Sequence, residues 1–183
     1  MTLKYSSMLE LQSNLIEFDL LNTITGENFS IINLDETKPS LIMFICNHCP
    51  YVIHYHQQIQ ELEKDFRGKF NLVAISSNDI VNYPQDGPEK MKLLWKELGL
   101  TFPYLYDETQ NIAKKYKAEC TPEFYLFNED KKLVYRGRFD ETSPSSEKDP
   151  DGKDLRNAMY CLIAGEKIAS EQYPSMGCNI KWK

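Results

Sequence analysis

The chain has 183 residues, 42% hydrophobic and 26% charged, which is ordinary for a globular protein and sufficient for one domain with a full core. Its 27 acidic residues outnumber its 21 basic residues, for a net charge of −6, which argues against a nucleic-acid-binding surface. The N-terminal residues lack the apolar core of a signal peptide, and no stretch approaches the roughly 18 apolar residues of a membrane span. We therefore expect a cytoplasmic protein without nucleic-acid or membrane partners, whose five cysteines serve redox or metal chemistry rather than a disulfide scaffold.

The hydrophobic pattern predicts an alternation of strands and helices. An N-terminal β-hairpin is predicted where residues 16–20 and 29–32 flank a polar turn that contains Gly26. Further strands are predicted at residues 40–46, 70–76, 103–106, 123–127 and 132–139. Helices are predicted near residues 51–66, 88–99, 109–117 and 154–164. This order indicates an α/β fold with a central mixed sheet and helices on both faces, followed by a tail, 166–183, that has no clear periodicity.

Two thiols and an imidazole stand where the strand at 40–46 ends and the next helix begins. The order there is Cys46-Asn47-His48-Cys49-Pro50. Proline is favoured in the first helical turn, so Cys49 is predicted to stand at the helix start. The unpaired N–H groups and the dipole of a helix N-terminus favour negative charge and lower the pKa of a thiol. The junction is therefore the strongest candidate for a reactive site.

Several segments resemble the thioredoxin-like superfamily, in particular its alkyl hydroperoxide reductase/thiol-specific antioxidant (peroxiredoxin-like) family. The likeness covers roughly residues 14–165 and is carried by FDL at 18–20, FPYLYDE at 102–108 and TPEFYLF at 121–127. CNHCPYV at 46–52, CTPEF at 120–124 and the ending GCNIKWK resemble a little-characterised peroxiredoxin-like subgroup. The resemblance implies a single thioredoxin-like domain over 1–183, with a core at about 14–165 and a C-terminal tail at 166–183.

The same resemblance implies an antioxidant or thiol-dependent oxidoreductase, acting by thiol–disulfide exchange or peroxide reduction without a cofactor. Its substrate would be a peroxide or a protein disulfide, and a thioredoxin- or glutathione-type cellular thiol would be the reductant. Pro122, after Thr121, matches the family's cis proline, which faces the reactive cysteine and leaves a backbone edge for an extended partner peptide. The oligomeric state is not indicated.

The choice of nucleophile depends on how the two cysteines are aligned with the family. In a thioredoxin-style C-x-x-C motif, Cys46 would attack and Cys49 would resolve. We favour Cys49, because Cys46 belongs to the apolar strand whereas only Cys49 meets Pro50 at the helix start. A buried structural thiol is the alternative for Cys46. His48 would tune Cys49 or hydrogen-bond its thiolate, unless it is exposed to solvent.

The other cysteines carry different expectations. Cys120, two residues before Pro122, would lie beside the site and could resolve a sulfenic acid or mixed disulfide on Cys49. Such a disulfide requires Cα atoms within about 7 Å, and the alternative is a packed loop thiol. Cys161, beside the apolar face of the last helix, is predicted to be structural, and Cys178 in the tail stays undecided.

The sequence departs from the peroxiredoxins at the groups that polarise a peroxide. Cys46 and Ile42 stand where those enzymes have a threonine and a proline, and Arg136 and Arg138 are only loose candidates for their arginine. Thiol–disulfide exchange requires less, namely a stabilised thiolate and an accessible disulfide.

Metal binding is the rival chemistry. All three histidines, His48, His54 and His56, lie within residues 46–56, and cysteine with histidine suits zinc or copper. A copper/zinc carrier would use Cys46, Cys49 and a histidine, as in copper chaperones of the same fold. His54 and His56 are two positions apart on a helix, so they point to different faces and leave the ligand set incomplete. We therefore assign no metal; a redox-inactive binding module on this scaffold is the third alternative.

Overall fold

The computed structural model describes residues 2–183, and its elements follow the predicted alternation. The helices of this region are α1 (Pro50–His54), α2 (His56–Phe66), α3 (Pro88–Leu98), α4 (Asn111–Tyr116) and α5 (Lys153–Ala164). The strands are β1 (Leu3–Tyr5), β2 (Asp19–Asn22), β3 (Asn28–Ser30), β4 (Ser40–Phe44), β5 (Asn71–Ser76), β6 (Tyr104–Tyr106), β7 (Cys120–Thr121), β8 (Glu123–Phe127), β9 (Leu133–Gly137) and β10 (Met176–Asn179).

A seven-stranded mixed sheet forms the centre of the molecule, in the order β3-β2-β6-β5-β4-β8-β9. Strands β4, β5 and β6 are parallel, and the remaining neighbours are antiparallel. All five residues of β4 are buried, as the unbroken apolar run predicts for a central strand. The expected thioredoxin-like α/β fold with an N-terminal hairpin is confirmed.

Hydrophobic clusters cover both faces of this sheet. Because side chains alternate along a strand, Leu41 and Met43 pack into one cluster and Ile42 and Phe44 into the other. The first cluster contains the apolar faces of α1, α2, α3 and α5, and the second contains that of α4. Helices therefore flank the sheet on both faces, as predicted.

The helix predicted at 51–66 is interrupted at Tyr55, which ends α1 and precedes α2. The phenol of Tyr55 donates to Asp140 Oδ1 and to the carbonyl oxygen of Thr142, each at 2.9 Å. These bonds hold the break between α1 and α2 against the polar loop that follows β9. The helical periodicity of residues 51–66 could not predict this break.

A second sheet, of three strands, is built from both ends of the chain and was not predicted. Its order is β1-β10-β7, so the tail strand β10 lies between the N-terminal strand β1 and the two-residue strand β7. In its register Cys178 stands opposite both Leu3 and Thr121. The tail is therefore an integral part of the fold.

Within residues 2–183, none of the helices is both long enough and apolar enough to span a bilayer.

Candidate active site

Cys49 is the N-cap residue of α1, and Pro50 is the first residue of that helix. The extended backbone of Cys49 (φ −71°, ψ 121°) continues the chain from β4, and its carbonyl accepts the N–H groups of Val52 and Ile53 at 2.9 and 3.0 Å. The thiol is completely buried, at 0% exposure. The sulfur therefore stands at the junction that the sequence indicated, beneath a cover of other residues.

Three thiols converge around Thr121. Cys49 Sγ lies 3.1 Å from the carbonyl oxygen of Thr121, to which it donates when protonated. Cys46 Sγ lies 3.5 Å from Thr121 Oγ1. Cys178, opposite Thr121 on β10, is hydrogen-bonded to Cys49. The predicted pair Cys46 and Cys49 is thus joined by a third cysteine from the tail.

The neighbouring thiols stabilise the charged form of Cys49. Hydrogen bonds from Cys178 and then from Cys46 hold the pKa of Cys49 below its usual range, against the opposing effect of burial. The same hydrogen bonds have the opposite effect on the pKa of the two donors, because a thiol that donates to a thiolate resists deprotonation. The pKa values of Cys46 and Cys178 are both raised, first by the hydrogen bond to Cys49 and then by burial. Among the three thiols the arrangement therefore favours a thiolate on Cys49, while the Thr121 carbonyl oxygen favours the protonated form of that thiol.

Cys120 lies beside this cluster in sequence but faces away from it. In the β10–β7 register Cys120 pairs with Asn179, whereas Thr121 pairs with Cys178, and successive side chains point to opposite faces of a sheet. The sulfur of Cys120 lies 3.8 Å from Glu123 Oε2 and 4.0 Å from the carbonyl oxygen of Pro122. Burial, and then the Glu123 carboxylate, raise the pKa of this thiol. This geometry does not favour Cys120 as the partner of Cys49.

The peptide bond between Thr121 and Pro122 is cis, as expected from the resemblance. The expectation of a free backbone edge beside it is wrong, because β10 pairs with Thr121 and Cys120 along that edge. The prediction failed because β10 comes from a tail with no sequence periodicity, 55 or more residues beyond β7.

His48 is held by Asp86, a residue that the sequence analysis missed. The Nδ1 atom of His48 lies 2.6 Å from Asp86 Oδ2, and the ring stacks on Tyr83. Asp86 is fully buried and also accepts the backbone N–H groups of Asn47 and His48 and the side-chain amide of Asn78. This carboxylate therefore organises the loop between β4 and α1, and His48 is oriented by it rather than exposed.

One group of side chains in the described region has spacing compatible with a metal ion. Ligand atoms of Cys46, His48 and Asp86 lie within 4.8 Å of one another. This set contains Asp86 in place of the predicted Cys49, and the Asp86 oxygens already accept four hydrogen bonds. His54 is separately engaged, with Nε2 2.9 Å from Thr142 Oγ1. The donor set fits a metal poorly, since a structural zinc site normally uses four ligands.

The two arginines considered for peroxide chemistry have partners elsewhere. Arg136 donates from Nε to the carbonyl oxygen of Leu9 at 2.8 Å and from Nη1 to Gln172 Oε1 at 2.8 Å. Arg138 pairs with Asp154 and lies over the ring of Tyr173. These contacts give both side chains a structural role at the edge of β9.

This chain matches one protein-family model and is similar along almost its whole length to two solved structures. A family model described as Redoxin matches residues 15–153. A crystal structure of an uncharacterized conserved protein from Geobacillus kaustophilus is 43% identical, covering 100% of this chain and 97% of that one, with a TM-score of 0.97. A hypothetical protein from Sinorhizobium meliloti is 36% identical, covering 98% of each chain, with a TM-score of 0.94.

A more distant solved structure shares the fold alone. A peroxidoxin from Mycobacterium tuberculosis is 18% identical, covering 84% of this chain and 96% of that one, with a TM-score of 0.62. No curated protein matches this chain.

Proposed function

Because this chain belongs to the Redoxin family, we propose that it is a thiol oxidoreductase in which Cys49 is the nucleophile, acting by thiol–disulfide exchange or peroxide reduction. The observation that carries the proposal is the placement of Cys49 as the N-cap of α1, with its sulfur hydrogen-bonded by Cys178 and Cys46. A thiolate is the reactive form of cysteine, and these groups favour it.

The proposed reaction begins with attack of the Cys49 thiolate. On a disulfide, the new S–S bond to Cys49 forms as the old S–S bond breaks and one substrate thiolate leaves. On a peroxide, the O–O bond breaks, an alcohol or water leaves, and Cys49 becomes a sulfenic acid. A second thiol then displaces the leaving group from the Cys49 sulfur to form a protein disulfide. A cellular thiol of the thioredoxin or glutathione type returns both cysteines to the reduced state.

Disulfide exchange places fewer demands on the site than peroxide reduction. Beside the Cys49 sulfur lie the Thr121 hydroxyl and the Cys46 thiol, 3.5 Å apart. Arg136 and Arg138 make their hydrogen bonds to other residues, Leu9, Gln172 and Asp154. Peroxide reduction is therefore proposed as the slower activity. Cys46 stays a candidate second thiol on the strength of its hydrogen bond to Cys49.

Oxidation by hydrogen peroxide, followed by intact-mass measurement, tests the nucleophile. We expect the reduced wild-type protein to be oxidised and Cys49→Ser to resist oxidation. Cys161→Ser is the matched control, because Cys161 lies on α5 outside the thiol cluster, and it should behave as wild type. Resistance in Cys46→Ser together with oxidation of Cys49→Ser would assign the nucleophile to Cys46 instead.

A metal carrier is the second candidate: Cys46, His48 and Asp86 supply fewer ligands than a structural zinc site uses, but their ligand atoms lie within 4.8 Å of one another. Dialysis of the reduced protein against zinc or copper, followed by metal analysis, tests it. Stoichiometric metal that is lost in both Cys46→Ser and Asp86→Asn would support the carrier. A protein that neither retains metal nor oxidises at Cys49 would instead be a redox-inactive binding module.

A further inference from the structure

The backbone edge at Thr121 is occupied by the chain's own tail. Strand β10 pairs antiparallel with β7, placing Cys178 opposite Thr121 and Asn179 opposite Cys120. The other edge of β10 pairs with β1, and the residues after it are fixed through hydrogen bonds from Ile180 N–H to the Glu119 carbonyl and from Lys181 N–H to Asn78 Oδ1. An extended segment with a cysteine therefore sits where an incoming peptide would lie against Cys49.

The register determines which way the cysteine of this strand points. Directly opposite residues of an antiparallel pair project from the same face of the sheet. Cys178 thus shares the face of Thr121, whose hydroxyl lies 3.5 Å from Cys46 Sγ and whose carbonyl lies 3.1 Å from Cys49 Sγ. Cys46, Cys49 and Cys178 belong to one buried cluster, and α1 packs against β10.

We propose that β10 is a built-in substrate strand, which holds the edge at Thr121 and presents Cys178 as the thiol that forms a disulfide with oxidised Cys49. This inference rests on the proposed function of Cys49 and names its intramolecular partner. It makes Cys178 a catalytic residue, and it means that an extended peptide reaches the same edge only after β10 has left it.

The charges around the two candidate thiols separate Cys178 from Cys46. Once Cys49 is oxidised, it carries no negative charge, and the hydrogen bonds that both thiols donate to the thiolate are lost. At Cys46 the Asp86 carboxylate then still opposes a thiolate and the Thr121 hydroxyl still favours one, whereas at Cys178 the Lys181 ammonium favours a thiolate. Lys181 is held in place by bonds from Nζ to the carbonyl and side-chain oxygens of Asn179, at 2.7 and 2.9 Å. The nearby full charges, one carboxylate beside Cys46 and one ammonium beside Cys178, therefore favour Cys178 as the second thiolate.

The proposed step balances with hydrogen peroxide as the oxidant. The Cys49 thiolate attacks one peroxide oxygen, the O–O bond breaks, and hydroxide leaves as water after taking up a proton, producing Cys49 sulfenic acid. The Cys178 thiolate attacks the Cys49 sulfur, the S–O bond breaks, and a second water leaves once the proton from the Cys178 thiol is transferred. Two thiols have then been oxidised to one disulfide, and one peroxide has been reduced to two waters.

Gly177 provides a way to move the strand without touching a thiol. A β-carbon at this position would lie 2.0 Å from the carbonyl oxygen of Thr121 and 2.7 Å from its carbonyl carbon. A backbone group cannot yield as a flexible side chain can, so Gly177→Ala must shift β10 away from β7. The presence of glycine beside Cys178 is what allows the strand to approach this closely.

The test oxidises the full-length reduced protein with hydrogen peroxide and maps disulfides by mass spectrometry under non-reducing conditions. We expect wild type to lose two hydrogens and to link the Cys49 and Cys178 peptides. Cys178→Ser should instead stop at Cys49 sulfenic acid, trapped by dimedone, and the matched control Cys120→Ser should keep the wild-type disulfide. Gly177→Ala should still form Cys49 sulfenic acid, but the step from sulfenic acid to disulfide, timed separately, should be at least roughly tenfold slower than in wild type, because a displacement of about 1 Å disrupts reacting geometry.

The outcomes separate the role of Cys178 from that of Cys49. A link from Cys49 to Cys46 or Cys120 in wild type, or a disulfide that persists in Cys178→Ser, would overturn the role of Cys178 while leaving Cys49 as the nucleophile. Absence of any Cys49 product in every variant, with hydrogen peroxide and with a small disulfide as oxidant alike, would overturn the proposed function and this inference together.

Discussion

The negative charge of Cys49 is supported by two other sulfur atoms rather than by a cationic side chain. Hydrogen bonds from Cys178 and Cys46 lower the pKa of Cys49, and the charge that they stabilise raises their own pKa values. Oxidation of Cys49 removes that charge and frees both donors at once. The resting site therefore protects its second thiol from deprotonation until the first has reacted.

Removing one donor should raise the pKa of Cys49. In Cys178→Ala the thiolate loses the hydrogen bond that contributes most, so the protonated form gains and the titration midpoint, followed by ultraviolet thiolate absorbance, should move to higher pH. Cys178→Ser keeps a donor and should shift the midpoint less. Cys120→Ala should leave it unchanged, since that sulfur faces Glu123. An equal shift in Cys178→Ala and Cys120→Ala would contradict the geometry.

Glu123 should make stability depend on pH. Burial, opposed by hydrogen bonds from Tyr125 and two backbone N–H groups, raises the pKa of Glu123 from 4.5 to about 7. An acid with a raised folded pKa binds more protons in the folded state, so its contribution to stability falls as the pH rises from 4.5 to about 7.

Urea unfolding at several pH values, compared between wild type and Glu123→Gln, isolates this contribution. Over that interval, wild type should lose on the order of 3 kcal/mol relative to the Gln variant. Because only the difference is compared, the opposite pH dependence of the Cys49 thiolate cancels. A difference that stays constant with pH would show that folding does not raise the pKa of Glu123.

At the scale of elements, the chain termini assemble the cover of the site. Strand β1 pairs with the outer edge of β10, through the register Leu3 to Cys178 and Tyr5 to Met176, and Asn179 N–H donates to the Thr2 carbonyl at 3.0 Å. Without β1, the tail strand β10 would pair only with the two-residue strand β7. An isolated two-stranded ribbon is only marginally stable in water.

Deleting residues 2–5 should therefore loosen β10 while leaving the central sheet intact. Hydrogen exchange followed by mass spectrometry should report faster exchange at residues 176–179, by about tenfold or more, because local opening requires fewer broken bonds. The amides of β4, paired on both sides by β5 and β8, serve as the internal control and should be unchanged. Retained protection of 176–179 would mean that β7 alone holds the tail.

At the scale of the whole molecule, one sheet supports two hydrophobic clusters. Ile42 and Met43 are neighbours on β4 but pack into opposite clusters, and both are fully buried. Because β4 belongs to both clusters, disruption of either should be transmitted to the other. The prediction of a single domain over 1–183 therefore becomes a prediction of one cooperative unfolding transition.

Matched truncations on β4 test this. Ile42→Ala and Met43→Ala should each lower the free energy of unfolding by about 2–5 kcal/mol, the range for a buried aliphatic side chain replaced by alanine. Tryptophan fluorescence, from Trp95 in the same cluster as Met43 and from Trp182 in the tail, and far-ultraviolet circular dichroism should report one midpoint in each variant. Separate midpoints for the two signals would divide the chain into independent units.

The sequence by itself determined the features that arise from neighbouring residues. The apolar run of β4, the helical spacing after Pro50 and the turn at Gly26 are local patterns, and the observed β4, α1–α2 and β2–β3 follow them within a few residues. The position of Cys49 at a helix start could be predicted for the same reason. The resemblance at Thr121-Pro122 added the cis peptide bond, which composition would not have predicted.

Only the tertiary structure decided what surrounds Cys49. Asp86 approaches from a loop 38 residues away, and Cys178 approaches from a strand that pairs with Thr121 across 57 positions of sequence. Strands of two to four residues, such as β7, β1 and β10, are too short to show a hydrophobic period. Their pairing depends on which backbone edges the folded core leaves open, so the third thiol became visible only once the core had brought both chain ends together.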